Sequence, residues 1–152
     1  MPHRELQIFF ENPKLFAPEN IKGLAGIVGL YFIFTQNTKI QYPFRQSRLL
    51  YIGMSERRSN SIGNRLMGHF DGTSKNQGLS NYRLADDLYF TKINFEMIRS
   101  YWTHSIEKLE SYFILDFVKK YGVYPICNNK SSFEILQVER DTEFIIDWEY
   151  FE

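Results

Sequence analysis

Apolar residues along this chain recur with two different periods, and the changes of period mark its elements. Gly29 to Thr35, GLYFIFT, is an aromatic and β-branched run with the character of a strand. Leu49 to Gly53, LLYIG, is a second one. The polar stretch between them holds Pro43 and is longer than a tight hairpin needs. Strands adjacent in sequence usually pair, so these two are expected to be antiparallel neighbours. From Ser61 to Phe70 the spacing turns helical, with Ser59 or Ser61 available as a cap. Asp71 to Ser80 is rich in Gly, Ser and Asn and reads as a loop, and Leu88 to Phe95 suits a third strand. Ile106, Leu109, Phe113 and Phe117 recur at helical spacing inside a helix from about Ser100 to Tyr121, which Gly122 ends.

The ends carry weaker patterns. Residues 1–20, with prolines at 2, 13 and 18, read as a loose strand or helical turn. The last twenty mix aromatics with acids and read as a closing helix. No repeat, low-complexity tract or linker divides the chain. The sum is an α+β fold over residues 1–152 as a single domain, with a small, mainly antiparallel sheet of about three strands flanked by helices. Its core is expected over about 24–130, with an acidic C-terminal segment over 133–152.

Composition narrows the class. With 152 residues, 43% hydrophobic and 24% charged, the chain can bury a real core and is not a disordered one. Aromatics reach 17%, which implies an aromatic-rich core unless some rings stack on bases. The lone Cys127 excludes an internal disulfide and reads as a small packed residue in a reducing compartment. The longest uncharged apolar run, Leu24 to Phe34, is far short of the ~20 residues that span a bilayer. No basic-then-apolar order opens the chain, so the expectation is a cytoplasmic protein without membrane contact.

Net charge is zero, but its halves are not neutral. Lys39 to Lys75 holds seven Lys/Arg and two acids, whereas Glu134 to Glu152 holds one Arg and seven acids. A local basic patch is either a footprint of phosphate binding or a solvated loop.

Two features carry candidate chemistry. Glu110 shares the apolar stripe of the long helix with Ile106, Phe113 and Phe117. A carboxylate there either reaches solvent at the stripe's edge or is compensated by a metal, an arginine or hydrogen bonds. Arg65 and His69 share a helix face by their i, i+4 spacing. That pair is commonplace alone and supplies no zinc set. Neither a phosphate-cradling glycine loop nor a serine elbow is present.

The order of these parts is more specific than any one of them. GLY at Gly29-Leu30-Tyr31 opens one strand, YIG at Tyr51-Ile52-Gly53 closes the next, and Arg65, His69, Glu110 and PICN with Asn128 follow. Over Gly29 to Asn128 the chain resembles the GIY-YIG nuclease superfamily. It departs from that pattern in reading GLY rather than GIY, in placing its two tyrosines twenty residues apart, and in a long stretch from Glu110 to Pro125. These spacings look more like the superfamily's restriction endonucleases.

The resemblance implies an endonuclease that hydrolyses phosphodiester bonds in DNA with Mg²⁺ or Mn²⁺. Glu110 is then the metal ligand, and Arg65 binds the phosphate. Tyr31 or His69 is the proton acceptor, Tyr51 a positioning group, and Asn128 a brace. Arg45, Arg48, Arg57, Arg58 and Lys75 are candidate phosphate contacts, which position the duplex without reading its sequence. A standalone enzyme cutting both strands of double-stranded DNA would most simply act as a homodimer. The alternative on the same fold is a non-catalytic module that binds nucleic acid or protein.

Overall fold

A computed structural model describes residues 4–128 and 142–152. In chain order the strands are β1 (Arg4–Ile8), β2 (Lys14–Leu15), β3 (Gly29–Thr35), β4 (Ile40–Gln41), β5 (Gln46–Ser47), β6 (Leu49–Ser55), β7 (Leu88–Asn94) and β8 (Thr142–Ile146). The helices are α1 (Pro18–Ile21), α2 (Ile62–Asp71), α3 (Gln77–Ala85) and α4 (Ile106–Tyr121). Short 3₁₀ turns cover Lys22–Leu24, Phe95–Met97, Arg99–Tyr101 and Trp148–Phe151.

The main sheet has four antiparallel strands in the order β2-β7-β3-β6, so the α+β expectation holds and the sheet gains a short edge strand. β3 lies between β6 and β7 and every one of its residues is buried. That is why GLYFIFT is apolar almost throughout instead of alternating. Strand neighbours point to opposite faces. Tyr31 therefore faces α2, where it meets His69, while Phe32 faces the other way onto Phe113 of α4. The rings of Phe10, Phe34, Trp148 and Phe151 pack around Phe32 and one another. Most of the aromatic excess is core.

Both long helices start and stop where their sequences direct. Ser61 caps α2 by accepting the Asn64 N–H at 3.3 Å, and Ser105 caps α4 by accepting the Lys108 N–H at 3.1 Å. Gly122 ends α4 with φ of 97°, a left-handed conformation that a side chain resists.

Three expectations change. The end of the chain is not a helix: Thr142–Ile146 forms β8, parallel to β1, followed by the Trp148–Phe151 turn. Thr142, Phe144 and Ile146 are buried while Glu143 and Ile145 are exposed, the period of a half-buried strand. The stretch expected as a loop to Ser80 instead enters α3 at Gln77, capped by Asn76, whose side chain accepts the Leu79 N–H at 3.1 Å. The long helix begins at Ile106, since Arg99–Tyr101 is a separate 3₁₀ turn. The end of the expected core and the start of the acidic segment fall on residues 129–141, outside the described residues. No helix among the described residues is long and apolar enough to cross a membrane.

Candidate functional site

The two tyrosine motifs meet through strand register. On the β3–β6 ladder Tyr31 lies opposite Gly53, and Ile33 lies opposite Tyr51. Tyr31 and Tyr51 are therefore diagonal neighbours on one face, with ring centroids 6.0 Å apart. Gly53 is required by this arrangement, because a Cβ there would overlap the Tyr31 ring. Gly29 has φ of 146°, and a Cβ on it would overlap the Ile93 carbonyl. Both glycines of the paired motifs are thus demanded by close approach.

Helix α2 lies over this face. Ile62, Gly63, Leu66 and His69 are its buried positions, and the i, i+4 spacing brings Arg65 alongside His69. His69 Nε2 is 3.0 Å from the Tyr31 hydroxyl, and its Nδ1 is 2.7 Å from Ser74 Oγ. The His69 ring also meets Tyr51 edge-on at 4.9 Å. Arg65 lies close enough to act electrostatically on the Tyr31 hydroxyl.

A cavity of about 520 Å³ opens beside these groups. Tyr51, Arg65, His69, Glu110 and Asn128 line it, with exposed Asn60 and Asn64 at its rim and Ser74 and buried Asn76 also on its wall. Of the six candidate site residues, only Tyr31 does not line the cavity; it is 0% exposed behind them. Glu110 is 5% exposed yet faces this space, which resolves the question raised by its place on the apolar stripe.

Asn128 has a mechanical task. Its Oδ1 accepts the Ile52 N–H at 3.0 Å and its Nδ2 donates to the Ile52 carbonyl at 2.9 Å. The carboxamide thus mimics a paired strand on the edge of β6 and holds the backbone next to Tyr51. Asn76 Nδ2 donates to the Cys127 carbonyl at 2.9 Å, tying the same segment to α3. Cys127 is buried, and burial pushes its thiol up to about 12, so it behaves as packing.

Electrostatics separate the roles further. Burial pushes Tyr31 well above the usual phenol value, with the neighbouring Tyr51 adding to the shift; the nearby Arg65 opposes but does not overcome it. Tyr51 is raised by burial and then by Glu110. Burial lowers Arg65, but the nearby Tyr31, Tyr51 and Glu110 raise it overall. His69 is lowered to about 4 by burial and by Arg65, so at neutral pH it is an uncharged imidazole.

The five proposed phosphate contacts divide. Arg57 and Arg58 are exposed in the loop just before α2, beside Asn60 of the cavity rim, and Lys75 is exposed next to Ser74. Arg45 and Arg48 do not line the cavity. Arg45 is paired with Glu152 at 2.6 Å. Arg48 donates to the carbonyls of Thr35 at 2.9 Å and Tyr150 at 3.2 Å, and lies over the Phe34 ring. Its guanidinium braces the C-terminal turn.

The donor set bears on which ion would fit. Among the described residues no three His, Cys, Asp or Glu side chains cluster, so no closed zinc-type set exists there. A single carboxylate facing a polar cavity suits a hard cation that keeps waters and takes phosphate oxygens. Sequence reasoning missed Asn60, Asn64, Ser74 and Asn76. They are short polar residues in or beside loops, and nothing in their spacing distinguishes them from ordinary turn chemistry. The chain matches no family model, no curated protein and no solved structure.

Proposed function

We propose that this chain is a divalent-metal-dependent endonuclease of GIY-YIG type, acting on phosphodiester bonds of double-stranded DNA. One observation carries the reading. Residues singled out by motif order, from Tyr51 to Asn128, line one cavity, and Tyr31 is bonded to its His69 wall. Chance matches scattered over nearly a hundred positions have no reason to converge in this way.

The division of labour follows from the geometry. Mg²⁺ or Mn²⁺ on Glu110 would act as a Lewis acid and stabilise the departing oxygen. Arg65 offers its donors to the non-bridging phosphate oxygens, where negative charge grows. The nucleophile is a water at the Tyr51 side of the cavity. Its proton passes to the Tyr51 oxygen as Tyr51 passes its own to Tyr31, and Tyr31 passes its own to His69 Nε2. Both phenols end neutral and His69 ends as imidazolium. No phenolate is needed, which suits two tyrosines whose ionisation is disfavoured by burial. A phosphate seated on Arg65 offsets the charge that helps depress His69, making the imidazole a better acceptor when substrate is bound. Arg57, Arg58 and Lys75 add affinity from the rim, and Asn128 fixes the strand that carries Tyr51.

Cleavage of supercoiled plasmid and a mixed-sequence duplex, with Mg²⁺ or Mn²⁺ and with EDTA, tests this. Wild type is expected to cut only with metal, and Glu110→Ala to lose the activity. Salt-dependent binding without turnover, across DNA and RNA substrates, would replace this reading with a non-catalytic nucleic-acid-binding module.

A further inference from the structure

The loop joining α2 to α3 holds a side chain that the proposed chemistry leaves unused. Ser74 lies on the cavity wall, its hydroxyl oxygen 2.7 Å from His69 Nδ1. The same oxygen accepts the Asn76 backbone N–H at 3.4 Å, and the Ser74 backbone N–H donates to the Gly68 carbonyl at 3.0 Å. The next residue, Lys75, has φ of 60°, a left-handed conformation that few residues other than glycine adopt. The backbone thus turns sharply just after Ser74, with that serine anchored on both sides.

The direction of these hydrogen bonds can be worked out. Neutral imidazole has one donor and one acceptor nitrogen. Tyr31 is 0% exposed, so its hydroxyl proton must find an acceptor inside the protein. His69 Nε2 is 3.0 Å away, and the Tyr51 ring is the other neighbour on that face. An unprotonated imidazole nitrogen is far more basic than a phenol oxygen, so Nε2 takes the bond. Nδ1 then carries the imidazole proton and donates it to Ser74 Oγ. With His69 and Asn76 both donating to that oxygen, the Ser74 hydroxyl proton is left to point into the cavity.

We propose that Ser74 is a further substrate-contacting residue, whose hydroxyl donates to a non-bridging oxygen of the bound phosphate and is aimed there by the chain Tyr31–His69–Ser74. The proposal rests on the nuclease reading and deepens it. It makes the α2–α3 loop part of the phosphate site, with Ser74 as a directed donor and Lys75 as a neighbouring charge.

Two measurements test it. The first is ¹⁵N NMR of the His69 ring in the free protein at neutral pH, where the Nδ1-protonated tautomer is expected. The second is cleavage by wild type and Ser74→Ala, with Mg²⁺, of duplexes carrying one phosphorothioate of each stereochemistry at the cut. Ser74→Ala is expected to stay folded and to lose about tenfold to a hundredfold in kcat/KM on the all-oxygen duplex, the range of a hydrogen bond to a charged group. One stereoisomer should slow wild type more than it slows Ser74→Ala, because sulfur accepts poorly from a hydroxyl that only wild type has. An Nε2-protonated ring, full activity in Ser74→Ala, or equal sulfur effects in both proteins would each overturn the proposal while active wild type keeps the nuclease reading. Wild type that cuts nothing would remove the nuclease reading and this proposal together.

Discussion

Two clusters in this molecule use the same three side-chain types, and only one adjoins the candidate cavity. Near the C-terminus Glu152 accepts from Tyr121 at 2.6 Å through one oxygen and pairs with Arg45 at 2.6 Å through the other. Under α2, Glu110, Tyr51 and Arg65 line a cavity of about 520 Å³. In the first cluster both carboxylate oxygens are consumed by protein donors, and the result is a latch holding the last turn onto the β4–β5 hairpin. In the second, strand register and a required glycine set the groups around open space. A carboxylate, a phenol and a guanidinium are therefore no signature of a site; the space they are arranged around makes the difference.

The largest test of that contrast exchanges the two glutamates for glutamine one at a time. Glu110→Gln is expected to cut the proposed nuclease rate by at least about a hundredfold, since an amide replaces the proposed cation ligand, the one carboxylate among the described residues that line the cavity. Its melting temperature, read beside the rate, separates lost chemistry from lost fold. Glu152→Gln should leave cleavage within about twofold while lowering the melting temperature, because a hydrogen bond to a charged acceptor is weakened. Equal effects of both changes on cleavage would erase the functional distinction between the clusters.

A second test attacks the register that creates the space. Gly53→Ala inserts a methyl group where the Tyr31 ring lies. Overpacking of this kind costs about 1–3 kcal/mol. The ring must move, and with it the 3.0 Å bond to His69. Cleavage should fall about tenfold or more beyond what the lost stability explains, because orientation is worth that much in a positioned site. Urea titration beside single-turnover kinetics separates the two effects.

Acid distinguishes the clusters by pH window. The folded state holds His69 at about 4 against an ordinary 6.5, so the unfolded chain binds its proton first. Stability from this group is full above pH 6.5 and is lost as pH falls toward 4, up to about 3 kcal/mol in all. Glu152 is also lowered from 4.5, despite the opposing effect of burial, by its bonds to Arg45 and Tyr121, so its contribution is lost only below about that pH. His69→Asn should flatten the stability profile between pH 6.5 and 4 relative to wild type, and Glu152→Gln should leave that window unchanged. Urea midpoints at pH 7 and pH 4.5 report both.

Sequence and structure agree best where one physical rule dominates. GLYFIFT, the α4 stripe and its Gly122 end were legible, with Ser61 one of two candidate caps, because burial period and capping chemistry act locally; the Ser105 start of α4 was missed because the preceding 3₁₀ turn reads as helix. β8 was missed because acids and aromatics were weighed by composition, while Thr142, Phe144 and Ile146 already alternated. α3 was illegible for the opposite reason. Leu79 is its one buried residue, so it shows no amphipathic period and depends on the Asn76 cap. At the site, Tyr31, Tyr51, Arg65, His69, Glu110 and Asn128 were named from motif order, yet Tyr31 stands behind the cavity and Asn128 is a strand clamp. Those roles depend on cross-strand register and on a contact 76 residues away in sequence, neither of which local pattern encodes.

The smallest expected effects concern the basic residues, which the sequence treated alike and the structure divides. Arg57, Arg58 and Lys75 are exposed in loops that adjoin the cavity, whereas Arg45 and Arg48 are bonded into the C-terminal latch. Each true phosphate contact contributes about 0.9 to the slope of log K against log salt for duplex DNA. Changing Arg57, Arg58 or Lys75 to alanine should therefore weaken duplex binding a few-fold and lower that slope by about one unit each. Arg45→Ala should leave both affinity and slope unchanged while lowering the melting temperature. Binding is measured with Ca²⁺ in place of Mg²⁺, so that the duplex stays whole across the salt series. A slope reduced by Arg45→Ala and untouched by Lys75→Ala would place the nucleic acid on the latch, and the cavity would lose its claim to be the face that meets the substrate.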